Sequence, residues 1–253
     1  GGEVMPLGVV GKDYQIIQES EAFAFLDNLV DSGEALISSA GLLAEGRRAF
    51  CCMRLPKGVL VGGEDATDLF MFVHMSHDGS TPLTIAVTPI RVVCQNTVAM
   101  GLRHARRTWR VRHTKNARLR MAEARRALEL TYQYAGEWEK LANALLGKPM
   151  SKGQYSKLAS RLFAPEDKDS KRAQTIFDTK MAQLMELWSA DTQDGIRGTA
   201  WGAWNAIVEW VDWFMPARGA EDVNARRFER SVMGEVDELK NRALGAVREL
   251  VGV

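Results

Sequence analysis

The sequence predicts an α+β fold: a small antiparallel β-sheet packed on helices, followed by an all-helical carboxyl-terminal part. Two observations carry this. Short apolar runs that alternate in strand fashion, punctuated by Gly-Gly and Asp-Gly, fill residues 34–87, whereas apolar positions at three- and four-residue spacing dominate from residue 117 onward. With 253 residues, 46% hydrophobic and 26% charged, the chain suits one large globular domain or two small ones. We divide it into an α+β core over residues 1–150, carrying a basic segment at 91–126, and a helical region over 151–253.

The elements follow in chain order. Ser20 is expected to cap a helix in SEAFAFLDNLVDSG, with Phe23, Leu26, Leu29 and Val30 on one face and Gly33 as its stop. EALISSAGLL and RRAFCCMRLP read as strands joined by the AEG turn. VLVGGEDATDLFMFVHMSHDG continues the sheet and TPLTIAV ends it. Thr88-Pro89 has the form of a helix start, N-cap then first helical position, and predicts a helix to about residue 104. TWRVRH alternates as a strand. Asn116 then caps a long helix closed by Gly147 and Pro149. SKGQYSKLASRLF, TIFDTKMAQLMELW, TAWGAWNAIVEWVDWFM and a final RFERSVMGEVDELKNRALGAVREL complete the helical part.

Net charge is only +1, but it is unevenly placed. Residues 1–90 hold 5 basic and 12 acidic side chains, residues 91–126 hold 11 and 1, and residues 127–253 hold 17 and 19. A local field draws a polyanion whatever the global sum.

Other chemistries fare worse. Three cysteines, two adjacent (Cys51 and Cys52), do not make a disulfide framework and point to a reducing compartment. No leader-like segment and no apolar run of 18 residues is present, so a soluble, cytoplasmic protein is expected. The chain opens Gly-Gly-Glu without Met, so a preceding piece is also expected. Cys94, between Ile90 and Val98 at helical spacing, reads as a buried thiol rather than a nucleophile. His74, His77 and Asp78 lack the companions a zinc site needs and read as a turn after a strand. No phosphate loop, dinucleotide fingerprint or GxSxG occurs. Two acidic clusters, Glu64-Asp65 with Asp68 and Asp191 with Asp194, leave a metal-dependent nuclease open, although solvated loops are the simpler reading.

The basic segment is the positive signal. Arg103, Arg106 and Arg107 would end the helix predicted from Pro89, where cations also suit the helix dipole. In the following strand a period of two sets Thr108, Arg110 and Arg112 on one face and Trp109, Val111 and His113 on the other. Lys115, Arg118, Arg120, Arg125 and Arg126 extend the charge into the next helix. Crowded like charges repel unless an anion neutralises them, so this stripe reads as a phosphate track. Of seven tryptophans, four (Trp201, Trp204, Trp210 and Trp213) fall in one helix, where the shared face of Trp201, Trp204 and Val208 means packing or a subunit contact. Trp109 is the better base-stacking candidate.

VVGKDY, HMSHDGS, TPIRVVCQNTVAMGL with the basic RVRHT after it, and GTAWGAWNAIVEW resemble the phage/plasmid-like proteins of the domain-of-unknown-function 932 family, over nearly the whole chain. That family is similar in outline to phage single-strand annealing recombinases, whose core, shared with the eukaryotic Rad annealing proteins, is a β-hairpin sheet packed on a helix. The resemblance implies a homo-oligomer, ring or filament, that holds single-stranded DNA in a basic groove and anneals it to a complement during phage or prophage recombination and repair. It implies no ATP, cofactor, metal or catalytic group, and a bacterial host cytoplasm. Arg91, Gln95, Asn96 and Thr97 would line the groove or set its geometry, and both roles stay open. The expected DNA-binding set is Arg91, Arg103, Arg106, Arg107, Trp109, Arg110, Arg112, Lys115, Arg118 and Arg120. A nucleic-acid enzyme such as a nuclease, and a structural or regulatory phage protein, are the alternatives.

Overall fold

The computed structural model describes residues 6–9, 18–43, 45–78, 81, 83–91, 108–110, 117–167, 170–217, 219–232 and 235–253. These form two compact units. The first draws on residues up to Gly58, Asp68–Thr88 and Leu102–Ala135, and the second on Val59–Thr67, Pro89–Gly101 and Gly136–Val253.

Among the described residues the first elements are α1 (Glu19–Asp31), β1 (Leu36–Leu43), β2 (Arg48–Arg54), β3 (Val59–Val61), β4 (Asp65–Ser76), β5 (Thr84–Arg91) and β6 (Thr108–Arg110). The sheet order is β1-β2-β4-β5-β6, with β3 pairing the start of β4. β1 with β2, β2 with β4, β3 with β4, and β5 with β6 are antiparallel. The α+β class is thus as the alternation predicts. In the first unit Leu26 and Leu29 of α1 are buried, as are Phe50, Cys51 and Met53 of β2 and Met71, Phe72 and Val73 of β4. Phe50 stacks on Phe72 with centroids 5.6 Å apart.

Three boundaries differ from expectation. Gln18, not Ser20, is the N-cap of α1. Glu19 therefore falls in the first helical turn, where a carboxylate suits the dipole and where its Oε1 lies 3.0 Å from His77 Nε2. Thr88-Pro89 does not start a helix: both residues belong to β5. The β-branched residues around them, Thr84, Ile85, Val87 and Ile90, favour a strand. The final helical stretch is two helices, α6 (Val223–Val232) and α7 (Asp237–Val251). Asp237 and Glu238 supply the acidic first turn that favours a new helix start, and Gly234 in the sequence disfavours a continuous one.

The second unit is built on helices. α2 (Ala117–Leu146) contributes its part from Gly136, followed by α3 (Lys152–Phe163), α4 (Lys171–Trp188), α5 (Ala200–Glu209), α6 and α7. Ser151 and Gln154 form a reciprocal capping box on α3, and the Ser170 hydroxyl accepts from the Ala173 N–H at α4. Every residue of α5 is buried. A π-helical turn, Trp210–Phe214, extends it. Trp138 meets Trp201 edge-on with centroids 5.2 Å apart, and Tyr155 stacks on Trp188 at 4.7 Å.

Gly62 opens the β3–β4 turn at φ 64°, a left-handed conformation, and its N–H donates to Asn143 Oδ1 at 2.7 Å. Residues Val59–Thr67 thereby join the helical unit as a hairpin.

Candidate nucleic-acid interface

The expected interface divides into what the structure places and what lies outside the described residues. Arg103, Arg106, Arg107, Arg112 and Lys115 lie outside, together with Cys94, Gln95, Asn96, Thr97 and Asn116. For Arg91, Trp109, Arg110, Arg118 and Arg120 the backbone is placed. Arg91 is the last residue of β5 and Arg118 falls in the first turn of α2.

Among the described residues β6 is the outermost strand on its side of the sheet. Its register sets Thr108 opposite Ala86, Trp109 opposite Ile85 and Arg110 opposite Thr84. The strand expected from TWRVRH is therefore present over Thr108–Arg110, and its later residues lie outside the described ones. Both Thr84 and Ile85 are buried, so β5 shows no open face at these two positions. Seven residues after β6 the long helix α2 begins, with no acid in its first turn. Arg118 and Arg120 thus bring positive charge to the positive end of a helix dipole, which disfavours them energetically. Arg126, further along, is exposed.

Of the rival candidates, His74, His77, Cys51, Cys52 and the two acidic clusters fall among the described residues. His74 lies inside β4 and is buried; its pKa is lowered to about 4, by burial first and by Arg48 second. His77 pairs with Glu19 instead of joining His74 in a cluster. Burial raises Cys51 and, with Cys51 as a neighbour, lifts Cys52 to about 12, so neither is a ready thiolate at neutral pH. Three of the five acids the sequence left open are engaged too. Asp65 accepts from Trp201 Nε1 at 3.0 Å, Asp68 pairs with Arg54 at 3.0 Å and Asp194 with Arg197 at 2.7 Å. Among the described residues no group of three or more His, Cys, Asp or Glu side chains is arranged to hold a metal ion.

Trp201, Trp204 and Val208 are buried, as a shared helical face predicts, and Trp210 is buried with them. Trp213 is 40% exposed. Sequence reasoning missed the buried polar pairing behind this helix: Trp204 Nε1 donates to the Lys240 carbonyl at 3.3 Å, and Lys240 Nζ lies 2.6 Å from Asp212 Oδ1. No local signal marks it, since Lys240 stands among the several charged residues of α7.

A family model described as Domain of unknown function (DUF932) matches residues 6–232. No curated protein and no solved structure matches the chain. Among the described residues no helix is long and apolar enough to cross a membrane.

Proposed function

The chain belongs to the DUF932 family, and from that premise we propose that it binds single-stranded DNA and anneals complementary strands. The observation that carries this reading is the concentration of charge: 11 basic and 1 acidic side chains in residues 91–126 of a protein whose net charge is +1. The placement of that segment supports it. It runs from the end of β5 through β6, the last strand of the sheet among the described residues, into the start of α2, where Arg118 and Arg120 oppose the helix dipole. A cation-rich stretch of this density is matched by an anionic partner. Phosphates are that partner, neutralised by arginines with release of counterions. Annealing by this route needs bases left free and strands held close, and no catalytic group, ATP or metal. A homo-oligomer, ring or filament, in a bacterial cytoplasm during phage recombination is the setting we propose.

The test is binding of a labelled oligonucleotide across a salt series, followed by mixing of complementary labelled strands without nucleotide or metal. Affinity should fall with a log–log slope of about −0.7 per phosphate contacted. Arg110→Ala with Arg112→Ala should flatten that slope, and the native chain should speed strand pairing. Binding unchanged in the double variant would move the track elsewhere. Tight binding without faster pairing would leave storage as the function, and strand loss on adding magnesium would make the protein a nuclease.

A further inference from the structure

Among the described residues β1 is the outermost strand on the side of the sheet away from β6. Its sequence, LISSAGLL, contains no charged residue and no proline. Sheet edges are normally protected from pairing by lysines, prolines or burial. Here Leu36, Ile37 and Leu42 are 59%, 55% and 60% exposed, and no residue of the strand is buried. Such an edge offers both a row of backbone groups and apolar side chains to a partner strand.

The pattern along the strand says which partner. Against β2, Leu36 faces Arg54 and Ile37 faces Met53, but Cys52 is faced by Ser39, so Ser38 is an extra, bulged residue. The seven paired residues then run Leu, Ile, Ser, Ala, Gly, Leu, Leu. Their sizes are symmetric about Ala40: Leu36 corresponds to Leu43, Ile37 to Leu42 and Ser39 to Gly41. The bulge also sets the faces. Leu36 and Leu43 stand opposite Arg54 and Arg48, which share one side of β2, while Ile37 and Leu42 stand opposite Met53 and Ala49 on the other. Without the extra residue Leu36 and Leu43, and likewise Ile37 and Leu42, would point to opposite faces.

We infer that β1 is the contact for a second copy of this chain, paired antiparallel edge to edge about a two-fold axis through Ala40. In that register Leu36 meets Leu43 of the other copy and Ile37 meets Leu42, each pairing occurring twice and on matching faces. No charges meet. The contact is self-complementary and closes as a dimer, and a larger ring requires a further, different surface. This inference does not rest on DNA binding.

Sedimentation of the full chain tests it. The native chain should run at twice 28.1 kDa or a multiple of that dimer. Ile37→Lys alone and Leu42→Glu alone should each weaken dimerisation at least about tenfold, since each sets a charge against leucine or isoleucine twice per dimer. Together in one chain they should restore the dimer, because each introduced ammonium then faces an introduced carboxylate of the other copy. Leu60→Lys, at an equally exposed residue of β3, should change nothing. A monomeric native chain, single variants with unaltered mass, or a double variant as dissociated as the singles would each overturn the pairing.

Discussion

The indole Nε1 of Trp201 donates a hydrogen bond of 3.0 Å to the carboxylate of Asp65, a residue 136 positions earlier, and both partners are buried. Asp65 starts β4 and Trp201 lies in the first turn of α5. This bond ties the Val59–Thr67 hairpin to the helices of its own unit. Trp201→Phe keeps an aromatic ring but removes the donor, and should lower stability by about 1–3 kcal/mol in urea denaturation. Asp65→Asn, which still presents an acceptor oxygen, should lose less.

Lys240 and Asp212 form an ion pair at 2.6 Å with 1% and 5% of their side chains exposed. Ser231 Oγ donates to the same Asp212 oxygen at 2.8 Å. Lys240→Met leaves a buried carboxylate short of its cation and should cost about 3–5 kcal/mol. The double variant Lys240→Met with Asp212→Leu should recover much of that loss, as measured by denaturant midpoints.

His74 gives the protein a pH dependence of definite sign. Its pKa is lowered to about 4 in the fold, against 6.5 unperturbed, because burial and then Arg48 disfavour the imidazolium. The unfolded chain takes up the proton first as pH falls. Stability from this group is therefore complete above about pH 6.5 and is lost progressively between there and about pH 4, by at most about 3 kcal/mol. His74→Gln should flatten the pH dependence of the urea midpoint across that window.

Gly202 sits in the first turn of α5, where a Cβ would collide with the backbone carbonyl of Ile196. Thr199 holds that turn, its hydroxyl donating to the Ile196 carbonyl at 2.6 Å and accepting from the Gly202 N–H at 3.1 Å. Gly202→Ala should destabilise by about 1–3 kcal/mol through forced displacement of the preceding loop. A lowered thermal midpoint would register it.

Arg118 and Arg120 separate stability from binding. Replacing both with Gln removes cations from the positive end of α2 and should raise stability by about 0.3–1 kcal/mol per residue. The same double variant should bind an oligonucleotide less tightly and with a shallower salt slope. Calorimetry and a binding titration on one preparation check both directions.

Period-two alternation and glycine turns were sufficient to find β1, β2, β4 and the start of β5, because these signals are local. Helix α2 ends where Gly147 and Pro149 predict. Thr88-Pro89 misled because a Thr-Pro pair at a helix start also occurs within a β-branched strand, and only the sheet decides between them. The Asp65–Trp201 and Asp212–Lys240 pairings leave no local trace, since each residue's partner is distant in the chain. The charge of the basic segment was legible by counting, whereas the burial of Thr84 and Ile85 opposite Arg110 and Trp109 required the register.

The hairpin that belongs to the helical unit sets an order on synthesis. Asp65 leaves the ribosome long before Trp201 exists to meet it, so the β3–β4 turn waits while α2, α3 and α4 emerge. At about 5–20 residues per second that delay is several seconds or more. The helical unit closes only after α5 has emerged, and release of residues 151–253 as a separate fragment would yield helices deprived of Asp65 and of Trp138.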